Sequence, residues 1–539
     1  MSGGWNLGDV LDILGARLPG THPALIHGDE VIDWASMTAR SNAIAHAFND
    51  AGLAPGDKVA FYLRNGTEYM ELLAACLKGR FTHVNINHRY QARELSYVLD
   101  NSDAAAVVYS PAFRPLVEAV RDQLPGVKLW VESDAVPELP AFAVSYEALA
   151  AGTNIAPLGI DRLPEDPIFL YTGGTTGMPK GVIWPQTFLL QSMFGSLKPL
   201  YGYEPETMDE LVDFVMDKLM DTVQLPAAPF MHSTGMCVAM GTLVCGGTVA
   251  TLESAKFDAD ELWQVVERRG ATNLTIIGDV FARPMLAALD AAPGRYDLSS
   301  VRVIASSGTM WSAAIKEGLI RHMPDAMLLD SLGSTEAPSC GITVTTAEGT
   351  RETMSFGISD NCKVLNDRDE EVVPGSGEVG LVARSGLIPL GYYKDEAKTA
   401  STFRTVNGVR YAFPGDMCKV EADGRLVLLG RGSACINTGG EKVFAEEVEE
   451  CLKEHADVVD AVVFGLPDET WGQAVTAVVL MKPGVHFEEG VLRNHVREHL
   501  AAYKAPKRIW VKDDLERYAN GKANYDRMKA FAQAQLQPA

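Results

Sequence analysis

From residue 32 to residue 110 the chain alternates between two periods of apolar and polar positions. Segments 38–51, 68–78 and 92–100 repeat their apolar residues at helical spacing, whereas 59–63, 82–86 and 105–109 are short apolar runs of strand length. Strands separated by helical segments of about ten residues predict βαβ units and a largely parallel sheet. The alternation returns through 273–278, 301–306 and 326–329, so the expected class is α/β. Ligands of such sheets sit beyond the carboxyl ends of the strands. Asn87-His88-Arg89-Tyr90 follows one such strand and reads equally as a site or a polar turn. Residues 204–221 predict an amphipathic helix whose polar face is acidic, which suits packing on the body better than lying on a membrane.

Residues 363–429 break the pattern, with short β-type runs separated by Asn-Asp, Pro-Gly, Asn-Gly and Asp-Gly turns. They predict a β-rich subdomain. Arg431-Gly432-Ser433 then makes a natural hinge, and helix-like (445–455, 489–500) and strand-like (460–464, 475–481, 508–511) segments follow. The expected division is a large N-terminal domain, 1–430, of parallel-type α/β sheets with 363–430 as its β-rich part, and a small mobile α+β C-terminal domain, 431–539.

Composition narrows the function classes. With 47 Lys+Arg against 70 Asp+Glu the net charge is −23. That argues against a nucleic-acid partner, which needs a basic face, and means that any polyanion must be held by local positive groups. The eight cysteines contain no Cys-x-x-Cys pair, so neither a zinc knuckle nor a disulfide framework is indicated and the thiols are expected reduced. The longest apolar stretch, 236–250, is short and broken by glycines, too short to span a bilayer, and the first residues lack a signal-peptide pattern. A soluble cytoplasmic protein is the expectation.

The densest chemical signal is Tyr171-Thr172-Gly173-Gly174-Thr175-Thr176-Gly177-Met178-Pro179-Lys180-Gly181-Val182, placed after the strand-like run 167–170. Its glycines let backbone N–H groups approach oxygens, its hydroxyls donate and Lys180 adds charge, as a polyphosphate cradle requires. A solvated Gly/Thr turn is the plain alternative. It is not a Walker A loop, because Lys180 follows Pro179 and precedes Gly181.

The stretch resembles the phosphate loop of AMP-forming acyl-activating enzymes: acyl-CoA synthetases, adenylation domains and luciferases. The resemblance runs nearly the full length and implies a role for each position that matches. Thr172, Gly173, Gly174, Thr175, Thr176 and Lys180 would hold ATP phosphates. Asp330-Ser331-Leu332-Gly333-Ser334-Thr335-Glu336 resembles the family's Tyr-Gly-x-Thr-Glu segment. In it Ser331, Leu332, Gly333 and Ser334 would line the adenine and acyl-carbonyl site, Thr335 would donate to the α-phosphate, and Glu336 would hold Mg²⁺. Ser307, Gly308 and Thr309 resemble the loop that meets adenine and carboxylate. Asp416, in Phe413-Pro414-Gly415-Asp416, would accept the ribose hydroxyls, and Arg431 would reach the nucleotide. Gly440, in Thr438-Gly439-Gly440-Glu441-Lys442-Val443, would close on the pantetheine of coenzyme A. Lys522, after Asn520-Gly521, would be the mobile catalytic lysine.

Some positions depart from the family pattern. Ala434 stands at the charged hinge position, the Lys522 segment lacks the common Pro-x-Thr, and Ile183-Trp184-Pro185-Gln186 replaces a frequent Thr-His. His232, within Phe230-Met231-His232-Ser233-Thr234-Gly235, matches a stretch beside the acyl pocket and reads equally as a packed histidine. With Gly278, Gly308 and Gly333 it is the substrate-side set. Met231, Met236 and Ile276-Ile277 suggest a neutral apolar tunnel, and 275–284 with 330–336 resembles the bacterial group acting on long acyl chains and steroid side chains. The implied reaction joins a hydrophobic carboxylic acid to coenzyme A through acyl-AMP, using ATP and Mg²⁺. An adenylation-only enzyme loading a carrier protein and a non-catalytic nucleotide binder stay open, as does a homodimer.

Overall fold

The computed structural model describes residues 4–133, 138–172, 178–195, 197, 202–203, 205–309, 311–349, 353–431, 435–438, 441–468, 472–500, 502–518 and 521–536. Among these residues the strands form three sheets. The first has Glu30–Asp33 antiparallel on its edge and then a parallel run of Pro23–His27, Thr248–Thr251, Val223–Pro226, Asn273–Ile276, Val303–Ser307 and Met327–Leu332 side by side in that order. At Met327–Leu332 it turns antiparallel and continues through Gly341–Thr345, Ser355–Ile358, Leu426–Arg431 and Asp416–Val420. The expected parallel sheet is therefore mixed. The β-rich stretch extends it rather than closing on itself, because the exposed edge of Gly341–Thr345 offers backbone groups that need partners. Gly391–Tyr392 crosses over to pair with Lys180–Pro185 in the second sheet.

That second sheet runs Lys180–Pro185, Pro167–Thr172, Thr82–Asn85, Lys58–Tyr62, Ala104–Tyr109, Leu129–Glu132. All of these strands are parallel except Lys180–Pro185, whose hairpin with Pro167–Thr172 sets Thr172 opposite Lys180. Helices fill the space between the sheets, and one buried cluster joins Leu25 and Val249 of the first to Phe61 and Val108 of the second. The helix Thr67–Gly79 is buried at every residue but Glu68. Two charged residues buried there are paired: Glu71 with Arg40 at 2.8 Å, and Lys78 with Asp12 at 3.4 Å. Burial still pushes Lys78 down to about 8, against the pull of Asp12.

The amphipathic segment forms the helix Met208–Lys218, shorter than its pattern because a capping box between Thr207 and Glu210 fixes its start. The C-terminal sheet carries Val458–Asp468, Gly472–Met481, Arg508–Val511, Cys435–Thr438 and Glu441–Phe444. Alternate side chains point to opposite faces of a strand. Ala461 and Val463 accordingly pack with the helices Ala445–Lys453 and Glu489–His499, while Val462 and Phe464 pack with Met528 and Ala532 of Tyr525–Leu536. Among the described residues no helix is long and apolar enough to cross a membrane.

Candidate active site

Three parallel strands of the first sheet end together. Val303–Ser307 and Met327–Leu332 are neighbours, with Ser306 opposite Asp330 and Ser307 opposite Ser331, so the loops after them leave side by side. Gly308 turns at φ +95°, a left-handed conformation that a side chain would strain. A Cβ on Gly333 would lie 2.8 Å from the Ser339 backbone nitrogen, so the following turn closes only on glycine. Ser334 holds that turn, its hydroxyl accepting from the Ala337 N–H at 3.2 Å. On the third strand's exit, the Gly278 N–H donates to Ser306 Oγ at 2.9 Å.

These loops open on a cavity of about 410 Å³, lined among others by Gly308, Thr309, Ser331, Leu332, Gly333, Asp416 and Lys522. Met354, Phe356 and Leu428 form an apolar wall. Asp416, nearly buried, opens its strand directly across from Arg431. Asp330 is pushed up to about 6 by burial, opposed by Lys316 at 3.4 Å.

Lys522 arrives from the C-terminal sheet on a short turn. The Tyr518 N–H donates to Lys522 O at 2.9 Å and the Gly521 N–H to Tyr518 O at 2.8 Å. Arg517 braces the turn, donating to Gly521 O at 3.2 Å and forking onto Asp460 at 2.6 and 2.8 Å. Gly521 has φ +77°, and a Cβ there would stand 2.6 Å from Val280 Cγ2 and 3.4 Å from Thr309 Cγ2. The tail is thus seated against Val280 and Thr309.

His232 precedes the helix Ser233–Val244. It is pushed down to about 4, first by burial and then by the nearby Lys522, His88 and Arg89, which disfavour a further positive charge. The imidazole is therefore held neutral, chiefly by burial. Its Nε2 and Thr309 Oγ1 are buried without a hydrogen-bond partner among the described residues, a cost that a ligand would remove. Thr335 Oγ1 lies 3.1 Å from Ser233 Oγ, and its carbonyl accepts from Trp184 Nε1 at 3.0 Å. The departure at Trp184 therefore has a local role, anchoring the Thr335 backbone. The Tyr392 hydroxyl donates to Glu336 Oε1 at 2.8 Å. Tyr392 is itself opposite Val182, so Glu336 sits beside the strand that leaves the phosphate loop. Lys180 pairs with Asp395, which accounts for Asp395 titrating below the usual carboxylate range.

Gly173, Gly174, Thr175, Thr176 and Gly440 lie outside the described residues. His88, in the polar stretch read two ways, is largely buried, its ring stacked on Phe113 at 6.3 Å and held down to about 4 by desolvation. Asn85, one strand end earlier, donates to Tyr171 O at 3.0 Å and Met231 O at 2.6 Å. It ties the phosphate-loop strand to the His232 segment. Sequence reasoning missed Val280, Arg283, Glu446, Glu449 and Lys453, which complete the cavity where the two parts of the chain meet. Glu449, fully enclosed and accepting from the Val463 N–H at 2.8 Å, is pushed up to about 8 by burial, against the pull of Arg517.

The chain matches known proteins over most of its length. Residues 15–393 match the family model described as AMP-binding enzyme, and 447–522 match the AMP-binding enzyme C-terminal domain. The chain belongs to the AMP-binding enzyme family. It is similar to the medium/long-chain-fatty-acid–CoA/3-oxocholest-4-en-26-oate–CoA ligase of Mycobacterium marinum, 38% identical over 93% of this chain and 92% of the relative. It is equally similar to the 3-oxocholest-4-en-26-oate–CoA ligase of Rhodococcus rhodochrous, 38% identical over 93% and 91%. Among solved structures, ATP-bound MatB from Rhodopseudomonas palustris superposes with a TM-score of 0.81 at 25% identity, covering 99% of this chain and all of that one. The anthranilate CoA ligase AuaEII with anthranoyl-AMP, at 22% identity and a TM-score of 0.84 over 99% of both chains, shares the fold.

Proposed function

We propose that this AMP-binding enzyme is an ATP-dependent acyl-CoA synthetase acting on a hydrophobic carboxylic acid, a medium- or long-chain fatty acid or a steroid side-chain acid. It releases pyrophosphate in forming acyl-AMP and AMP in forming acyl-CoA. The observation that carries the reading is the Gly521-Lys522 turn lying on Val280 and Thr309 over the cavity that holds Asp416. The 38% identical relatives support the substrate class.

The donor set fits an adenosine phosphate. Asp416 offers two acceptor oxygens to a ribose diol, the apolar wall of Phe356 and Leu428 suits a purine face, and Thr309 Oγ1 has no partner among the described residues. Thr172, Gly173, Gly174, Thr175, Thr176 and Lys180 are the phosphate side, with Ser307, Gly308, Ser331, Leu332, Gly333 and Ser334 around adenine and carboxylate and Arg431 across from Asp416. Glu336 is a hard oxygen donor suited to Mg²⁺, which when bound supplies charge neutralisation on the phosphates. Tyr392 orients that carboxylate.

A carboxylate attacking a polyanion needs alignment and neutralised charge more than a nucleophile activated by the enzyme. Lys522 presents its ammonium where attacking and bridging oxygens meet, and Thr335 donates to the α-phosphate. Neutral His232 and the Gly278 turn bound the acyl side without adding a charge. The small domain, 431–539, then turns about 431–433 and brings Gly440 to the pantetheine for thiol attack. Free cysteines, five of them buried, among the described residues suit the cytoplasm. A homodimer is compatible with the reading, and nothing in the site requires one.

Incubation with ATP, Mg²⁺ and palmitate or a steroid side-chain acid, with and without coenzyme A, tests the proposal. Acid-dependent pyrophosphate release and a thioester formed only with coenzyme A are expected. Release of inorganic phosphate, or acyl-AMP that coenzyme A does not discharge, would overturn it. The second outcome would favour carrier loading, the activity in the name of a relative from Streptomyces coeruleorubidus, 28% identical over 93% of this chain.

A further inference from the structure

The helix Ala445–Lys453 has two faces with different tasks. Glu446, Glu449 and Lys453 turn to the cavity. Cys451 turns away, into the buried cluster it shares with Leu492 and Val496 of Glu489–His499. On that second helix His495 and His499 are four residues apart, so they share a face. One ligand atom from each of Cys451, His495 and His499 lies within 4.8 Å of the others.

A tetrahedral zinc site needs its nitrogen and sulfur ligands roughly 3.3–3.6 Å apart, given bonds of about 2.0–2.3 Å. The three groups are therefore within side-chain rotation of closure. Each histidine has one ring nitrogen held by a backbone carbonyl. His495 Nε2 faces the Cys451 carbonyl at 2.9 Å and His499 Nδ1 faces the His495 carbonyl at 2.8 Å. A carbonyl only accepts, so each of those nitrogens carries the hydrogen and the other nitrogen of each ring keeps its lone pair. Metal-ligating histidines are typically held through a carbonyl in this way. His455 is not counted. Its ring meets that of His495 at 5.2 Å, but its Nδ1 accepts from the Asp457 N–H at 3.2 Å.

We propose that Cys451, His495 and His499 bind a divalent transition ion of the zinc class, with solvent in the fourth position, and so clamp Ala445–Lys453 to Glu489–His499. Thiolate with imidazole selects such an ion over Mg²⁺ or Ca²⁺, so the site is distinct from the magnesium role of Glu336. Burial, with Glu454 and Glu447, pushes the Cys451 thiol up to about 12. A coordinated cation reverses that preference and leaves the thiol deprotonated.

The test uses the full-length, untagged chain stripped with chelator and titrated with Co²⁺. The proposal expects one ion per chain with a thiolate-to-cobalt charge-transfer band, displacement by Zn²⁺, and a rise in the thermal midpoint. His499→Ala changes an exposed position and should leave acid-dependent pyrophosphate release intact while weakening Co²⁺ binding at least ~10-fold, since even outer-shell losses cost that much. Cys451→Ser should abolish the charge-transfer band. No such band at one equivalent of cobalt, or unchanged affinity in folded, active His499→Ala, would overturn the proposal.

Discussion

Gly521→Ala isolates the seating of the tail from the chemistry of Lys522. The substitution meets two obstacles. Alanine at φ +77° costs about 1–2 kcal/mol. Its methyl would also fall 2.6 Å from Val280 Cγ2, so that side chain must leave its position. Val280 is 38% exposed and can rotate, for about 0.5–1.5 kcal/mol off its preferred rotamer. If both are felt only when the tail is seated, about 1.5–3.5 kcal/mol lowers the seated population roughly 12- to 320-fold, at about 1.4 kcal/mol per tenfold. Single-turnover pyrophosphate release at saturating ATP and acid should fall by that factor. Thioester formation from supplied acyl-AMP and coenzyme A should change little. Adding Val280→Ala removes the contact but not the backbone strain, so the double variant should recover roughly 2- to 12-fold. Equal loss in both half-reactions, or no recovery in the double variant, would refute seating on Val280 as a requirement for adenylation.

Lys522→Ala should lower adenylation by about 10²–10³, the usual scale for a lost charge-stabilising donor, and spare thioester formation from acyl-AMP; parallel half-reaction assays check this. A bulky residue at Gly440 should do the reverse, blocking coenzyme A turnover while pyrophosphate release persists. Tyr392→Phe removes the 2.8 Å hydrogen bond to Glu336; a loss near 1 kcal/mol should raise the Mg²⁺ concentration for half-maximal adenylation several-fold, read by magnesium titration. Glu449 has its pKa raised from 4.5 to about 8, so the folded state binds more protons than the unfolded across that window. Its contribution is full below the unfolded value and is lost as pH rises through about 8, on the order of a few kcal/mol. Denaturation at pH 5 to 9 should show Glu449→Gln flattening the decline.

The periodic part of the fold was legible because each signal was local. The strand expected at 508–511 is the strand Arg508–Val511, and the helix expected at 92–100 is Ala92–Asn101. Pairing was less legible. Nothing in 363–429 announces that its strands extend the first sheet or that Gly391–Tyr392 leaves for the second, since partner choice depends on which edges remain open once distant segments have packed. Several candidate positions written as compact motifs lie together where the structure describes them. Gly308, Ser331, Gly333, Asp416 and Lys522 line one cavity from segments far apart in the chain. Thr335 and Glu336 are positioned instead through Trp184 and Tyr392, partners that no spacing rule connects to them.

What escaped the sequence was the half of the cavity made by the meeting of its two parts. Glu446, Glu449 and Lys453 read as the polar face of an ordinary amphipathic helix, and on an isolated domain that face would be solvated. Lys453 is instead paired with Glu450, and Arg517 with Asp460. Pairs like these reduce the cost of bringing charge into the cleft. This matters in a chain of net charge −23 that must admit a polyanion. Carboxylates at the cleft would repel it, yet Glu449 and Asp330 are both held toward the protonated form by burial, and Asp460 is matched by a guanidinium. The cleft is therefore less negative than its composition. Lys522 enters it on a turn whose arginine is already committed to Asp460.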